Sequence, residues 1–312
     1  MSNSAVKVVS VNISEKKGTI KLPVEEVILD CNGISKDAHS GPWNRQVSLL
    51  ADESVERFAK EAGRKINPGE FAENITTSGL ELTETLPLDR FVSDNVELEV
   101  TRIGKECHGN TCAIFREVGN CVMPKEGIFA RVIREGKLKP GDILNYHPRV
   151  FSFCVVTLSD RVSRGEYKDK SGPEIIKKIE EHFSGSKRKI KIEHKVIPDE
   201  PEKLKDILND CKSRGTDFIV TSGGTGVGPR DVTPEVVRLF IDKEIPGVME
   251  HVRIKYGSEK PNALLSRGVA GVMGNTFVYT LPGSVKAAGE YMSELLKTME
   301  HLVYMRCGID AH

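Results

Sequence analysis

The sequence predicts two domains: a compact β-rich domain or barrel, followed by an α/β domain on a mostly parallel sheet. Three observations carry this reading. The chain has 312 residues, and with about 150 residues per domain as a prior, two domains come first and a single large one second. Short β-branched runs between turn signals fill the first half, as in a sheet closed by tight turns. After residue 150, strand-like runs alternate with helical ones, the pattern of β-α-β units. The seam lies near Arg149, where GKLKPGDILNYHPRV ends and FSFCVVTLS begins, so the expected domains are 1–148 and 149–312.

Taken in order, VKVVSVNI, VEEVILD, NVELEVTRI and GIFARVI are the strands of the first half. An amphipathic helix is expected at 52–62, with Asp52 as its N-cap and Val55, Phe58, Ala59 and Ala62 on one face. In the second half FSFCVVTLS, KIKIEHKVI and DFIVTS read as strands, and GPEIIKKIEEHF and EPEKLKDILNDCKSRG as the helices between them. No internal repeat at a fixed period interrupts the pattern.

Composition excludes several classes. With 45 basic and 45 acidic side chains and 38% hydrophobic residues, the chain is neither a charge-driven disordered segment nor a strongly basic nucleic-acid binder. The two halves differ only slightly, −3 before Arg149 and +3 from it onward, so no polyanion partner is suggested. No apolar run approaches a membrane span of about 18 residues, and the N-terminus has neither a basic start nor a continuous apolar stretch. The cytoplasm is the expected location. Seven cysteines without a regular framework read as reduced thiols rather than a disulfide scaffold.

Ligands of open α/β sheets gather beyond the carboxyl ends of the strands, which directs attention to three loops. TSGGTGVGPRDVTP at 221–234 follows a strand and opens a helix, with Thr233 as expected N-cap and Pro234 as first helical residue. Gly223, Gly224, Gly226 and Gly228 allow the backbone to turn tightly and present N–H groups to an anion. Neither a Walker A lysine nor G-x-G-x-x-G spacing is present, and a tight structural turn is the plainer alternative. Asp231 shifts the balance, because a carboxylate beside a phosphate cradle is unfavourable unless a cation such as Mg²⁺ lies between them. The loops TLSDRVSRGEYKDKSGPE at 157–174 and LPGSVKAAGE at 281–290 also follow apolar runs and open helices, and VIPDE at 196–200 places Asp199 at a strand end. For Asp160 and Asp199 alone, a helix cap or turn is the competing reading.

SDRVSRGEYKDKSGP, VIPDE, TSGGTGVGPRDVTP, IPGVMEHVR, ALLSR and LPGSVKA, in that order, resemble the molybdopterin adenylyltransferase family, whose related domain also occurs in gephyrin. The likeness spans 151–305 and implies a three-layer α/β fold, commonly trimeric, that binds molybdopterin and Mg-ATP. It further implies transfer of AMP to the pterin's terminal phosphate with release of pyrophosphate. The family's two catalytic, Mg²⁺-holding carboxylates fall on Asp199 and Asp231. By the same resemblance Ser222, Gly223, Gly224, Thr225 and Gly226 cradle phosphate, and Asp160, Pro282, Gly283 and Ser284 line the nucleotide or pterin pocket. Gly224→Val is expected to block the ligand sterically while the fold survives.

The first half holds Cys107, His108, Cys112 and Cys121 within one stretch. Zinc is one reading, but the paired-ligand spacing of zinc sites is missing and small buried thiols are the ordinary alternative. KDAHSGPWNRQVSLL, PGEFAENITTSGLEL and the cysteine stretch ending in EGIFARVI resemble the MOSC domain, a β-barrel related to part of the molybdenum cofactor sulfurases, over about 5–147. That resemblance implies handling of molybdenum cofactor, or of sulfur, through one cysteine, placed at Cys112 ahead of Cys107. A thiolate attacks sulfane sulfur and is a soft metal ligand. His39, Arg45 and Asn74 lie in the matching motifs as candidate cofactor-binding residues, with a structural hydrogen bond as the equal alternative for His39 and Asn74.

Two resemblances that meet at one cofactor imply a bifunctional protein of molybdenum cofactor biosynthesis: the second domain adenylylates molybdopterin, and the first binds, carries or sulfurates the product. The rival is a non-catalytic carrier or chaperone. Implied partners are molybdopterin, ATP, molybdenum or tungsten, downstream insertion proteins or molybdoenzymes, and further copies of the chain in a trimer formed through the second domain.

Overall fold

The computed structural model describes residues 4–104 and 121–309. It divides into two compact units, Met1–Arg149 with Cys307–His312, and Val150–Arg306. The return of the chain's end to the first unit departs from the expected 149–312. Its cause is local: Arg131 donates to the Cys307 carbonyl at 2.9 Å, Asn44 donates to the Gly308 carbonyl at 2.7 Å, and Ile309 is buried.

In the first unit the strands are β1 (Ser4–Ile13), β2 (Leu22–Val24), β3 (Val27–Asp30), β4 (Gly33–Ile34), β5 (Val47–Ala51), β6 (Ile75–Ser78), β7 (Arg90–Val92), β8 (Glu97–Ile103), β9 (Ile128–Arg134), β10 (Gly136–Leu138) and β11 (Ile143–His147). Seven of them close a barrel in the order β1-β6-β5-β9-β8-β7-β11, with β11 pairing back to β1. β2 extends β1, and β10, β3 and β4 form a separate small sheet. Closure removes the free edges that an open sheet would expose. The β1–β6 register shifts between Val8 and Ser10, and a bulge of this kind changes which residues face inward. Val6 and Val8 point into the core before it, and Val11 after it. The first helix, α1 (Asp52–Ala62), buries Val55 and Phe58 and ends at Gly63 in the left-handed region, φ 66°. Asp52 lies within its first turn and does not cap it, Ala51 holds the cap position, and Ala62 is exposed. A short α2 (Met123–Glu126) precedes β9.

The second unit runs β12 (Val150–Leu158), α3 (Asp160–Ser163), α4 (Ser171–Ser184), β13 (Lys189–Ile197), α5 (Pro201–Arg214), β14 (Phe218–Ser222), α6 (Thr233–Arg238), β15 (Lys243–Glu244), α7 (Pro246–Gly257), β16 (Ala270–Met273), β17 (Thr276–Leu281) and α8 (Val285–Arg306). Its sheet is mixed. In the order β13-β12-β14-β17-β16-β15, the first four strands are parallel, and β16 pairs antiparallel with both β17 and β15. Strand residues of opposite parity meet different helices: Cys154, Val156 and Leu158 pack with Leu204, Leu208 and Cys211 of α5. Phe151 and Phe153 meet Phe183 of α4, with ring centroids at 6.2 and 5.9 Å. The chain leaves β12 toward β13 on one side and returns to β14 on the other. Such a reversal opens a crevice at the carboxyl ends of the strands.

Candidate functional site

The Gly-rich loop leaves β14 at that crevice. Gly223 and Gly224 have φ of 111° and 66°, angles that side chains rarely adopt. A Cβ on Gly223 would lie 2.3 Å from the Leu158 carbonyl oxygen, and one on Gly224 would lie 2.3 Å from Thr233 Oγ1. Thr233 uses its hydroxyl to hold the loop, donating to the Gly223 carbonyl at 3.0 Å, while its N–H donates to the Gly224 carbonyl at 3.1 Å. It therefore does not cap α6, which starts at Thr233 itself with Pro234 in the first turn.

Two further bonds join this loop to the turn after β17. Gly223 N–H donates to the Leu281 carbonyl at 3.0 Å, and the buried Ser222 hydroxyl donates to the Pro282 carbonyl at 3.2 Å. The Ser222 side chain is thus structural. By contrast, among the described residues nothing accepts from the N–H groups of Gly224, Thr225 or Gly226. The following turn, Pro282, Gly283 and Ser284, leads into the 22-residue α8, whose first-turn N–H groups have no acceptor within the helix.

These features line one cavity of about 520 Å³: Gly223, Gly224, Thr225, Gly226, Asp231, Pro282, Gly283 and Ser284 all contribute. Tyr256, Lys260, Asn262, Ser266, Lys286 and Glu290 add further polar side chains to its walls. Sequence reasoning did not single these out, although Ser266, Lys286 and Glu290 sit within ALLSR and LPGSVKAAGE. It also missed Arg267, which staples the loop: its N–H donates to the Thr225 carbonyl at 3.0 Å and its Nε to the Gly226 carbonyl at 2.6 Å. The guanidinium also reaches the Asp231 carbonyl and the Glu235 carboxylate.

Asp231 reaches the cavity while its Oδ2 accepts from the Gly228 N–H at 2.9 Å. Asp160 and Asp199 form a neighbouring group and are not among the cavity walls. Each accepts the other's backbone N–H, at 3.0 and 3.1 Å. Arg230 Nη2 lies 2.7 Å from Asp160 Oδ2 and donates to the Asp199 carbonyl at 3.3 Å. Burial, with the charges of Asp160 and Asp231 adding to it, holds the Asp199 carboxyl above its ordinary value of 3.8. Residual repulsion of this kind is relieved by a cation. Among the described residues no group of three or more His, Cys, Asp or Glu side chains is placed to hold a metal alone. The donors present suit Mg²⁺, which takes one or two carboxylates and completes its shell with water and substrate phosphates.

In the first unit His39 is partly exposed, its N–H donating to Asp37 Oδ1 at 3.0 Å and its Nδ1 lying 3.4 Å from Lys21 Nζ. Beneath it Lys21 and Asp37 form a buried ion pair at 2.5 Å. Burial would raise the Asp37 pKa, but Lys21 and the Ser14 N–H outweigh it and hold the carboxyl below the usual range. Arg45 is exposed. Asn74 is wholly buried, its Oδ1 accepting from Ser48 N–H and Oγ at 3.1 and 2.9 Å and its Nδ2 donating to the Asn12 carbonyl at 3.2 Å. It braces the barrel and presents no exposed atom to a cofactor. Cys112, with Cys107 and His108, lies outside the described residues; Cys121 is half-buried.

Residues 154–301 match the family model described as a probable molybdopterin binding domain, and residues 36–145 match the MOSC domain. Gephyrin of Dictyostelium discoideum is 37% identical over 155 residues, 48% of this chain and 21% of that protein. The molybdenum cofactor biosynthesis bifunctional protein of Chlorobaculum tepidum is 35% identical over 169 residues, 54% of this chain and 51% of its own length. Molybdopterin adenylyltransferase of Pyrococcus furiosus is 34% identical over 161 residues, covering 50% of this chain and 91% of that protein. The chain thus spans between a fifth and a half of the first two and most of the third.

Proposed function

Because the chain belongs to the molybdopterin adenylyltransferase family through residues 154–301, we propose that its second unit transfers the adenylyl group of Mg-ATP to the terminal phosphate of molybdopterin, releasing pyrophosphate. The observation that carries this is the cavity itself, where unpartnered backbone N–H groups of Gly224 to Gly226, the N-terminus of α8, Lys260 and Lys286 meet Asp231.

In the reaction a phosphate oxygen of the pterin attacks the α-phosphorus of ATP, and the bond to the pyrophosphate breaks. Anions must be brought together, so positioning and charge neutralisation supply most of the catalysis. The N–H groups and Lys286 hold the phosphates at fixed positions. Asp199 and Asp231 would hold Mg²⁺, which supplies positive charge to the phosphate oxygens. Asp160 and Arg230 set the orientation of Asp199 through the paired bonds already described. The helices met by opposite faces of the sheet support the three-layer arrangement. Exposed Leu239, Ile254 and Leu264 support a homo-oligomer through this unit. The first unit would receive, carry or sulfurate the cofactor through Cys112, drawing on a high local concentration of product, commonly about millimolar for a short tether.

Adding Mg-ATP to the pterin-loaded chain separates enzyme from carrier. Stoichiometric pyrophosphate release is the expected result, and binding without release assigns the chain to carriage alone.

A further inference from the structure

Resting on the adenylyl-transfer reading of this cavity, we propose that Glu290 recognises the pterin ring and discriminates it from adenine. Glu290 lines the cavity from α8 and is 20% exposed. It stands six residues after Ser284, about 9 Å along the helix, so the helix start and Glu290 line different parts of the cavity. A carboxylate in a cavity built for phosphates works against binding unless it has a partner of its own. Lys260 Nζ supplies one at 2.6 Å, but only to Oε1. Among the described residues Oε2 has no hydrogen-bond partner. The Glu290 backbone carbonyl accepts from Tyr256 Oη at 3.2 Å, which fixes this point of α8 against α7.

Chemistry then selects the ligand. The 2-amino-4-oxo edge of a pterin presents two adjacent donors, N3–H and the exocyclic amine, which a carboxylate accepts with both oxygens as it accepts a guanidinium fork. The N1/N6 edge of adenine presents one donor beside one acceptor, so a carboxylate there faces a lone pair. An amide is the side chain that pairs with adenine in the bidentate manner. Glu290 therefore favours the pterin and excludes adenine from its end of the cavity.

The test titrates the full-length chain with three probes: 6-hydroxymethylpterin and lumazine, which carries an oxo group in place of the 2-amine, both by fluorescence, and Mg-ATP by calorimetry. Wild type is expected to bind the pterin at least tenfold more tightly than lumazine. Glu290→Gln should lose that preference, with ATP affinity kept within twofold and an unchanged circular dichroism spectrum. Glu290→Asp should weaken binding yet keep the preference, and Lys260→Met should keep it too, since the carboxylate remains. A full pterin preference in Glu290→Gln overturns the assignment, as does its loss in Lys260→Met, which marks the pair as structural. If wild type binds neither the pterin nor ATP, the adenylyl-transfer reading falls and this assignment falls with it.

Discussion

Asp231 and Asp199 differ in what they touch: Asp231 lines the cavity, and Asp199 stands beside it, tied to Asp160 and Arg230. Asp231→Asn and Asp199→Asn should each keep molybdopterin binding and lose adenylyl transfer by about 100-fold or more, the scale for removing a transition-state charge partner. Wild-type turnover in both variants would remove the carboxylates from the mechanism. Gly224 was expected to tolerate a valine that only blocks the ligand. Its left-handed φ and the 2.3 Å approach of a Cβ to Thr233 Oγ1 mean that substitution there acts by distorting the loop. In the barrel, Lys21→Met would leave Asp37 buried without its cation, a loss worth about 3–5 kcal/mol when one partner of a buried pair is removed. Denaturant unfolding measures it; a change under 1 kcal/mol would show that Asp37 finds another partner.

Helix α8 presents its free N-terminus to the cavity and, farther along, gathers a charge cluster against α7. Glu294 receives Lys255 at 2.7 Å, Lys297 at 2.8 Å and His251 at 3.3 Å. Led by the bond from Lys255, the hydrogen bonds from Lys255, Lys297 and His251 lower its carboxyl from the ordinary 4.5 to about 2. A depressed carboxylate contributes stability that is full above its unfolded pKa and disappears as pH falls through its folded one. The unfolding free-energy difference between wild type and Glu294→Gln should therefore shrink as pH falls between 4.5 and 2. A difference independent of pH across that window would contradict the ion-pair account. Elements were legible where periodicity was strong: β13 matches KIKIEHKVI, and α1 covers 52–62 as expected. Caps were not, because Asp52 and Thr233 carry capping chemistry but their oxygens lie elsewhere in the turn or are used by the loop. Nothing in the sequence separates Lys260 and Glu290 from the other charges of the second half, and only the packing around the cavity distinguishes them.

For the molecule as a whole, the two compact units divide between Arg149 and Val150, where β-branched runs give way to alternating strands and helices. Barrel closure was less accessible, since the β11–β1 pairing joins distant segments and depends on register rather than composition. The return of Cys307 to Ile309 to the first unit was invisible, because three residues carry no period. If the two units do separate chemistry, Cys112→Ser should leave adenylyl transfer within twofold of wild type, and alkylation by iodoacetamide should reach Cys112 faster than the buried Cys154 and Cys211. Loss of adenylyl transfer in Cys112→Ser would tie the first unit into the reaction. The central claim is tested most directly by mass spectrometry of the pterin recovered after incubating the full chain with molybdopterin and Mg-ATP. The account predicts a pterin heavier by one adenylyl group, absent with Asp231→Asn; molybdopterin recovered unchanged from the wild-type chain would contradict it.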